Sequence, residues 1–181
     1  GHLHLRIDDL DEPRVDHASV EDIFVQLEWL GIEYDSGPSG PDELFKQYSQ
    51  HTRMELYADA LQSLAKSGTL YACECSRSEI RQLLKSGNYP GTCRLKGLDL
   101  QNDKLSWRVH IPEQTYVSFK TLTYKNEKIN VSQAMGDFVV KRKDGIPAYQ
   151  LASVMDDLEF GINFVVRGED LRASTAAQLF L

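Results

Sequence analysis

Ile162-Asn163-Phe164-Val165-Val166-Arg167-Gly168-Glu169-Asp170-Leu171 decides between fold classes. Its first half is apolar and β-branched, the composition of a strand, and its second half is charged. A helix is expected next, near Ser174. The same order stands at the other end of the chain. His2 to Ile7 alternates as a short strand, and Asp8-Asp9-Leu10-Asp11-Glu12-Pro13-Arg14 follows as an acidic loop. A helix is then expected from Ser19, with Asp22 completing a weak capping box. Strand-helix alternation at both ends predicts an α/β fold around one parallel sheet. In such sheets ligands bind beyond the carboxyl ends of the strands. Those ends carry Arg6, Asp8, Asp9 and Asp11 on one strand, and Arg167, Glu169 and Asp170 on the other. A site lined by both signs suits a zwitterion such as an amino acid, although solvated loop residues have the same composition.

Working inward, Val20, Ile23, Leu27 and Leu30 share a helical face that Gly31 ends, and 36–41 is a Gly-Pro-Ser loop. A second helix is expected from about Thr52 to Lys66, stopping at Gly68, with Met54, Tyr57, Ala58, Leu61 and Leu64 inward. Leu70 to Cys73 reads as extended. Ser76-Arg77-Ser78-Glu79 is a capping box for a short helix to about Leu84, and 87–91 is a turn. From Leu105 to Val131 the pattern becomes short and β-rich, an antiparallel patch in Trp107-Ile111, Tyr116-Phe119 and Lys128-Val131. Phe138 to Lys141 is expected as a strand and Ala148 to Met155 as a helix.

Composition sets limits. The 181 residues are 41% apolar, enough for a core and too many for a disordered tail. No apolar run approaches the roughly 20 residues of a membrane span, and no charged-then-apolar leader opens the chain. A soluble, cytoplasmic protein with no membrane partner is expected. The net charge of -7 argues against a general nucleic-acid coat, yet leaves room for docking one RNA through a local basic patch. Lys141-Arg142-Lys143 is either such a contact or a solvated strand end. Arg77, Arg81 and Lys85 share a helical face and, with Arg94, offer a second patch. The 3 cysteines make a complete disulfide framework a poor reading. Cys73 and Cys75 are too close in sequence to bridge without strain, so free thiols or a metal site remain.

Three segments carry a family resemblance. Leu5-Arg6-Ile7-Asp8-Asp9-Leu10-Asp11-Glu12-Pro13-Arg14 resembles the L-R-I-E-D-x-D-x-x-R segment of glutamyl-tRNA synthetases. Val165-Val166-Arg167-Gly168-Glu169-Asp170-Leu171 resembles their V-V-R-G-E-D-L segment, with Ser174-Thr175 and Gln178 following. Asp144-Gly145-Ile146-Pro147-Ala148-Tyr149-Gln150-Leu151-Ala152 is similar to their D-G-x-P-x-Y-x-L-A segment. The likeness runs over nearly the whole chain and is weakest from about 95 to 135.

The resemblance implies a Rossmann-like class I catalytic domain, divided as 1–71, an inserted zinc-bearing α+β subdomain at 72–136, and 137–181. It implies activation of L-glutamate by ATP and transfer to tRNA. Asp8 takes the acidic position that meets the substrate ammonium, where the family usually has Glu. Tyr149 and Arg167 take the tyrosine and arginine positions of the glutamate pocket, and a planar guanidinium suits a carboxylate. No side-chain nucleophile is required, so no catalytic residue is assigned. Among close relatives, the glutamyl-queuosine tRNA(Asp) enzymes carry a C-x-C…Y-x3-C zinc site. Cys73, Cys75, Tyr89 and Cys93 reproduce that pattern, with thirteen residues between Cys75 and Tyr89. Tyr89 as phenolate, His110 or water is the candidate fourth ligand. The likeness therefore points to Zn²⁺ and to the queuosine base of tRNA(Asp) as acceptor. A glutamyl-tRNA synthetase charging tRNA(Glu) and a noncatalytic zinc-stabilised module are the rival readings. An H-x-G-H-like motif opening a helix and a K-M-S-K-like loop, which bind ATP in this class, are not found in the 181 residues. Both ends read as cut, and this stretch alone is expected to be inactive.

Overall fold

Asp16, rather than Ser19, caps the first helix. In the computed structural model α1 spans His17–Trp29, and the extended Asp16 accepts a hydrogen bond from the Ser19 N–H at 2.8 Å. That bond, with a second from the Ser19 hydroxyl, holds the Asp16 carboxyl below its ordinary pKa. Gly31, at φ 65°, ends the helix as expected. The structure describes residues 1–11, 15–83, 88–123 and 125–181. These form two compact units, Gly1–Leu56 and Tyr57–Leu181.

In the first unit, the strand expected at 2–7 is reduced to one parallel bridge between His4 and Ser36. Leu5 donates to the Ser36 carbonyl at 2.9 Å. This approach depends on Gly37, at φ 117°, because a Cβ there would lie 2.4 Å from the Leu5 oxygen. After α2 (Pro41–Glu43), a π-turn at Leu44–Tyr48 and a 3₁₀ turn at Gln50–Arg53 lead into α3 (Met54–Lys66).

The second unit is organised by one two-faced sheet. β1 (Leu70–Cys73), β2 (Ser106–Val109) and β5 (Val139–Lys141) lie in the order β1-β2-β5, antiparallel throughout. The register pairs Leu70 with Val109, Tyr71 with Arg108, Ala72 with Trp107 and Cys73 with Ser106. Directly paired residues share a face. Leu70, Trp107 and Val109 therefore enter a core with Leu61, Ile111, Val131, Phe138, Val140, Leu151, Ala176 and Ala177. Tyr71 and Cys73 turn to the opposite face, into a separate cluster of Cys73, Cys75, Tyr89 and Cys93. All four β2 residues are buried, as a central strand covered on both faces requires.

The main core is closed by α3, by α5 (Val131–Ala134), α6 (Tyr149–Glu159) and α7 (Arg172–Phe180), and by the hairpin of β3 (Tyr116–Lys120) and β4 (Asn126–Asn130). Within it, the fully buried Tyr57 donates to Asp156 Oδ1 at 2.6 Å, tying α3 to α6. α4 (Arg77–Leu83) opens on the capping box expected from sequence: Ser76 N–H donates to Glu79 at 2.6 Å, and Glu79 N–H to Ser76 Oγ at 3.2 Å.

The parallel sheet expected from the chain ends is not formed among the described residues, whose ladders are all antiparallel. Ile162 to Val166 joins no ladder, and Val166 is 79% exposed. A β-branched run states a propensity; a strand also needs a neighbouring backbone to take its N–H and C=O groups. The three-stranded sheet itself runs across both boundaries expected for the insertion, since β2 joins β1 to β5.

Candidate functional site

On the second face of the sheet, three sulfurs and one phenol converge. Cys73 ends β1, Cys75 follows at the approach to α4, and Tyr89 and Cys93 come from the turn before β2. The Tyr89 hydroxyl lies 3.4 Å from both Cys73 Sγ and Cys75 Sγ, and Cys75 Sγ lies 3.5 Å from Cys93 Sγ. The Cys93 N–H donates to the Tyr89 oxygen at 3.1 Å, which places that oxygen beside the thiols. All three cysteines are buried and unbridged, with ligand atoms within 4.8 Å of one another. Zn–S bonds of about 2.3 Å in a tetrahedron put sulfurs about 3.8 Å apart, so this donor set fits a zinc ion. A cleft of about 470 Å³ lined by Glu74, Cys75, Glu79, Gln82, Thr92 and Lys96 reaches Cys75 from outside. His110, the other candidate fourth ligand, lies elsewhere, its Nδ1 3.6 Å from Asp137.

The cluster polarises its own thiols. Burial pushes Cys73 up, but the Tyr89 hydroxyl, then Arg108, then the Cys75 backbone outweigh it and bring the thiol down to about 7. Burial pushes Cys75 up to about 11. Burial and the three thiols push the Tyr89 phenol well above its ordinary value.

Two residues not singled out from sequence frame the cluster. Asp137, 2% exposed, accepts from Tyr71 Oη at 2.6 Å, Arg94 Nη2 at 2.7 Å and the Ile111 N–H at 2.9 Å. Arg108 stacks on Tyr89, its Cζ 3.9 Å from the ring centroid. A signal for Arg108 was present: in an alternating strand it must face away from Trp107 and Val109.

The proposed glutamate-binding residues divide between the units. Asp8 lies in the first, its Oδ1 accepting from Arg6 Nε at 2.8 Å. Its neighbour Asp9 is buried and exchanges hydrogen bonds with Gln50, at 2.7 and 3.1 Å, which fixes the loop that presents Asp8. In the second unit, Tyr149 opens α6 and is 40% exposed, so its ring is not sealed in the core. Arg167 is half-buried, and its Nη1 donates to Gln178 Oε1 of α7 at 2.7 Å.

The basic segments are largely engaged within the protein. Lys141 lies over Trp107, Arg142 pairs with Asp144, and Lys143 donates to the Glu74 carbonyl. In the second patch Arg94 is held by Asp137, while Lys85 and the side chain of Arg77 lie outside the described residues.

Known proteins match this chain over its full length. The chain belongs to the class I tRNA synthetases (E and Q), catalytic domain, a family it matches over residues 1–181. It is 38% identical to a glutamyl-Q tRNA(Asp) synthetase of Burkholderia orbicola over 186 residues, covering 98% of this chain and 59% of that protein. It is 41% identical to the protein of that name from Parasynechococcus marenigrum, covering 96% of this chain and 51% of that one. A glutamate–tRNA ligase of Desulfosudis oleivorans is 36% identical, with 38% of its length covered. The chain thus spans between half and three-fifths of the length of the glutamyl-Q relatives it matches. A crystal structure of a glutamate tRNA ligase from Elizabethkingia meningosepticum, in complex with its amino acid, superposes with a TM-score of 0.76 at 24% identity. It covers 99% of this chain and 39% of that one, and shows a shared fold. No helix among the described residues is long and apolar enough to cross a membrane.

Proposed function

We propose that this chain is part of an ATP-dependent ligase that activates L-glutamate and transfers it to the queuosine base of tRNA(Asp). The observation that carries this reading is the Cys73, Cys75, Tyr89, Cys93 cluster within a chain whose similar relatives include proteins named for that tRNA. Asp8 is assigned to the substrate ammonium, and Tyr149 and Arg167 to the glutamate side chain and carboxylates. Arg167 suits that role because Gln178 orients its guanidinium. ATP is the co-substrate. Zn²⁺ would be held by Cys73, Cys75, Cys93 and Tyr89, and its contribution is structural: it ties the 88–93 segment to the end of β1. The reaction needs positioning and charge stabilisation at the phosphate, and no side-chain nucleophile is assigned.

Transfer to tRNA(Glu) is the second reading, favoured by the glutamate–tRNA ligase relative. The test is the longer protein carrying this sequence, with ATP, labelled glutamate and three RNAs: tRNA(Asp) with queuosine, tRNA(Asp) without it, and tRNA(Glu). Label on the first alone is expected. Label on tRNA(Glu) establishes the second reading. Label on none, with no glutamate-dependent ATP–pyrophosphate exchange, leaves only a noncatalytic binding module.

A further inference from the structure

Among the described residues, no carboxylate meets the charge of the buried Arg108. It is 5% exposed and sits on β2, on the face shared with Tyr71 and Cys73. Its Nη1 donates to the Asp137 backbone oxygen at 2.6 Å. Its Nε is sealed from solvent and finds no partner among the described residues. The carboxylate of Asp137, whose backbone oxygen it contacts, is taken by Arg94. Burying a guanidinium is costly unless a counter-charge compensates it. The groups that face it are the Tyr89 ring, 3.9 Å from Cζ, and on the same face of the sheet Cys73, whose sulfur belongs to the cluster around the Tyr89 hydroxyl.

A divalent ion held by three thiolates carries roughly one net negative charge before its fourth ligand is counted. We infer that Arg108 is the positioning residue and counter-charge of that metal–thiolate centre. Its guanidinium fixes the Tyr89 ring so that the hydroxyl stays among the sulfurs, and its charge offsets the anionic complex. The inference rests on the zinc reading above. It assigns the loading of the centre to a residue that is not itself a ligand, on the strand that separates the cluster from the main core.

The experiment uses zinc-loaded and cobalt-loaded protein, challenged with a chromogenic chelator. Arg108→Met keeps most of the volume and removes the charge. It should lower zinc retention about 10- to 100-fold, the range found when partners of metal ligands are removed. Arg108→Lys keeps the charge without the planar stack and should recover part of that loss. The cobalt spectrum gives a readout that a general loss of packing does not imitate. If Arg108 holds Tyr89 in place, Arg108→Met should change the visible cobalt bands in the same direction as Tyr89→Phe. Wild-type protein that binds neither metal refutes the zinc reading, and this inference with it. Wild-type protein that binds about one zinc, beside an Arg108→Met variant within twofold of it and with an unchanged cobalt spectrum, refutes the inference alone. Should Arg108→Met fail to fold, Arg108→Lys decides. A few-fold weaker zinc retention with altered cobalt bands supports the role, and wild-type behaviour overturns it.

Discussion

Asp137→Asn keeps the shape of a buried side chain and removes its charge. The two carboxylate oxygens serve different donors: Oδ1 takes the Ile111 N–H at 2.9 Å, and Oδ2 takes Tyr71 Oη at 2.6 Å and Arg94 Nη2 at 2.7 Å. An asparagine has one acceptor oxygen and one amide donor. Its better orientation points the oxygen at Arg94 and the amide at the Ile111 N–H, which leaves a buried backbone donor unsatisfied at a cost of about 1–3 kcal/mol. Loss of the carboxylate charge opposite Arg94 adds up to about 1 kcal/mol, kept small because the Arg94 side chain is 37% exposed. The expected destabilisation is therefore about 1–4 kcal/mol. With a urea m-value of roughly 2 kcal/mol/M, the midpoint should fall by about 0.5–2 M. Tryptophan emission reports the right unit, because Trp107 is 4% exposed in the second unit while Trp29 is 82% exposed in the first. The pH dependence has a fixed sign. Burial raises the Asp137 pKa, but the Ile111 N–H, the Tyr71 hydroxyl and Arg94 outweigh it and hold it below its ordinary 3.8. A carboxyl depressed on folding contributes stability above its unfolded pKa and loses it as pH falls through the lower folded value. The gap between wild type and variant should thus be full near neutrality and close at pH values below about 4. A midpoint shift under about 0.3 M, or a gap that stays constant on acidification, refutes the reasoning.

Three further outcomes are expected. Cys75→Ser should lower bound zinc from about one per chain to well below that by metal analysis, since a serine hydroxyl is a poor replacement for a thiolate; unchanged stoichiometry would exclude Cys75 as a ligand. Tyr57→Phe removes the hydroxyl that donates to Asp156, which is fully buried, and should cost about 1–3 kcal/mol in a denaturant titration. A change below about 0.5 kcal/mol would show that the α3–α6 bond contributes little. In the longer protein, Arg167→Ala should lower kcat/KM for glutamate-dependent pyrophosphate exchange by about 100-fold or more, and Arg167→Lys should restore only part; equal activity of alanine variant and wild type would remove Arg167 from the glutamate site.

Local chemistry was legible in the sequence where it is written in neighbours. The Ser76–Glu79 capping box, the helix stop at Gly31 and the β3–β4 hairpin follow from neighbouring residues, whereas the strand expected beside that hairpin, β2, pairs with β1 and β5 instead. The cysteine cluster was legible for a different reason: few residue types bind soft metals, so Cys73, Cys75 and Cys93 stand out even though strand and loop bring them together. Asp137 was not legible, because its partners Tyr71, Arg94 and Ile111 come from β1, the segment after the cluster and the end of β2. No local pattern marks such a node. The chain belongs to a class I catalytic domain family, as the α/β reading expects, yet Ile162 to Val166 has a strand's composition and no ladder partner among the described residues. Register supplies what composition omits. One offset in the β1–β2 pairing would carry Cys73 to the face of Trp107, or exchange Arg108 and Trp107 between the two faces. The burial of Trp107 and Val109 in the main core therefore also fixes where the thiols and their cation lie. The centre is held in place by an apolar core on the opposite face of the same three strands, and a substitution there, such as Val109→Ala, reaches it only by disturbing that register.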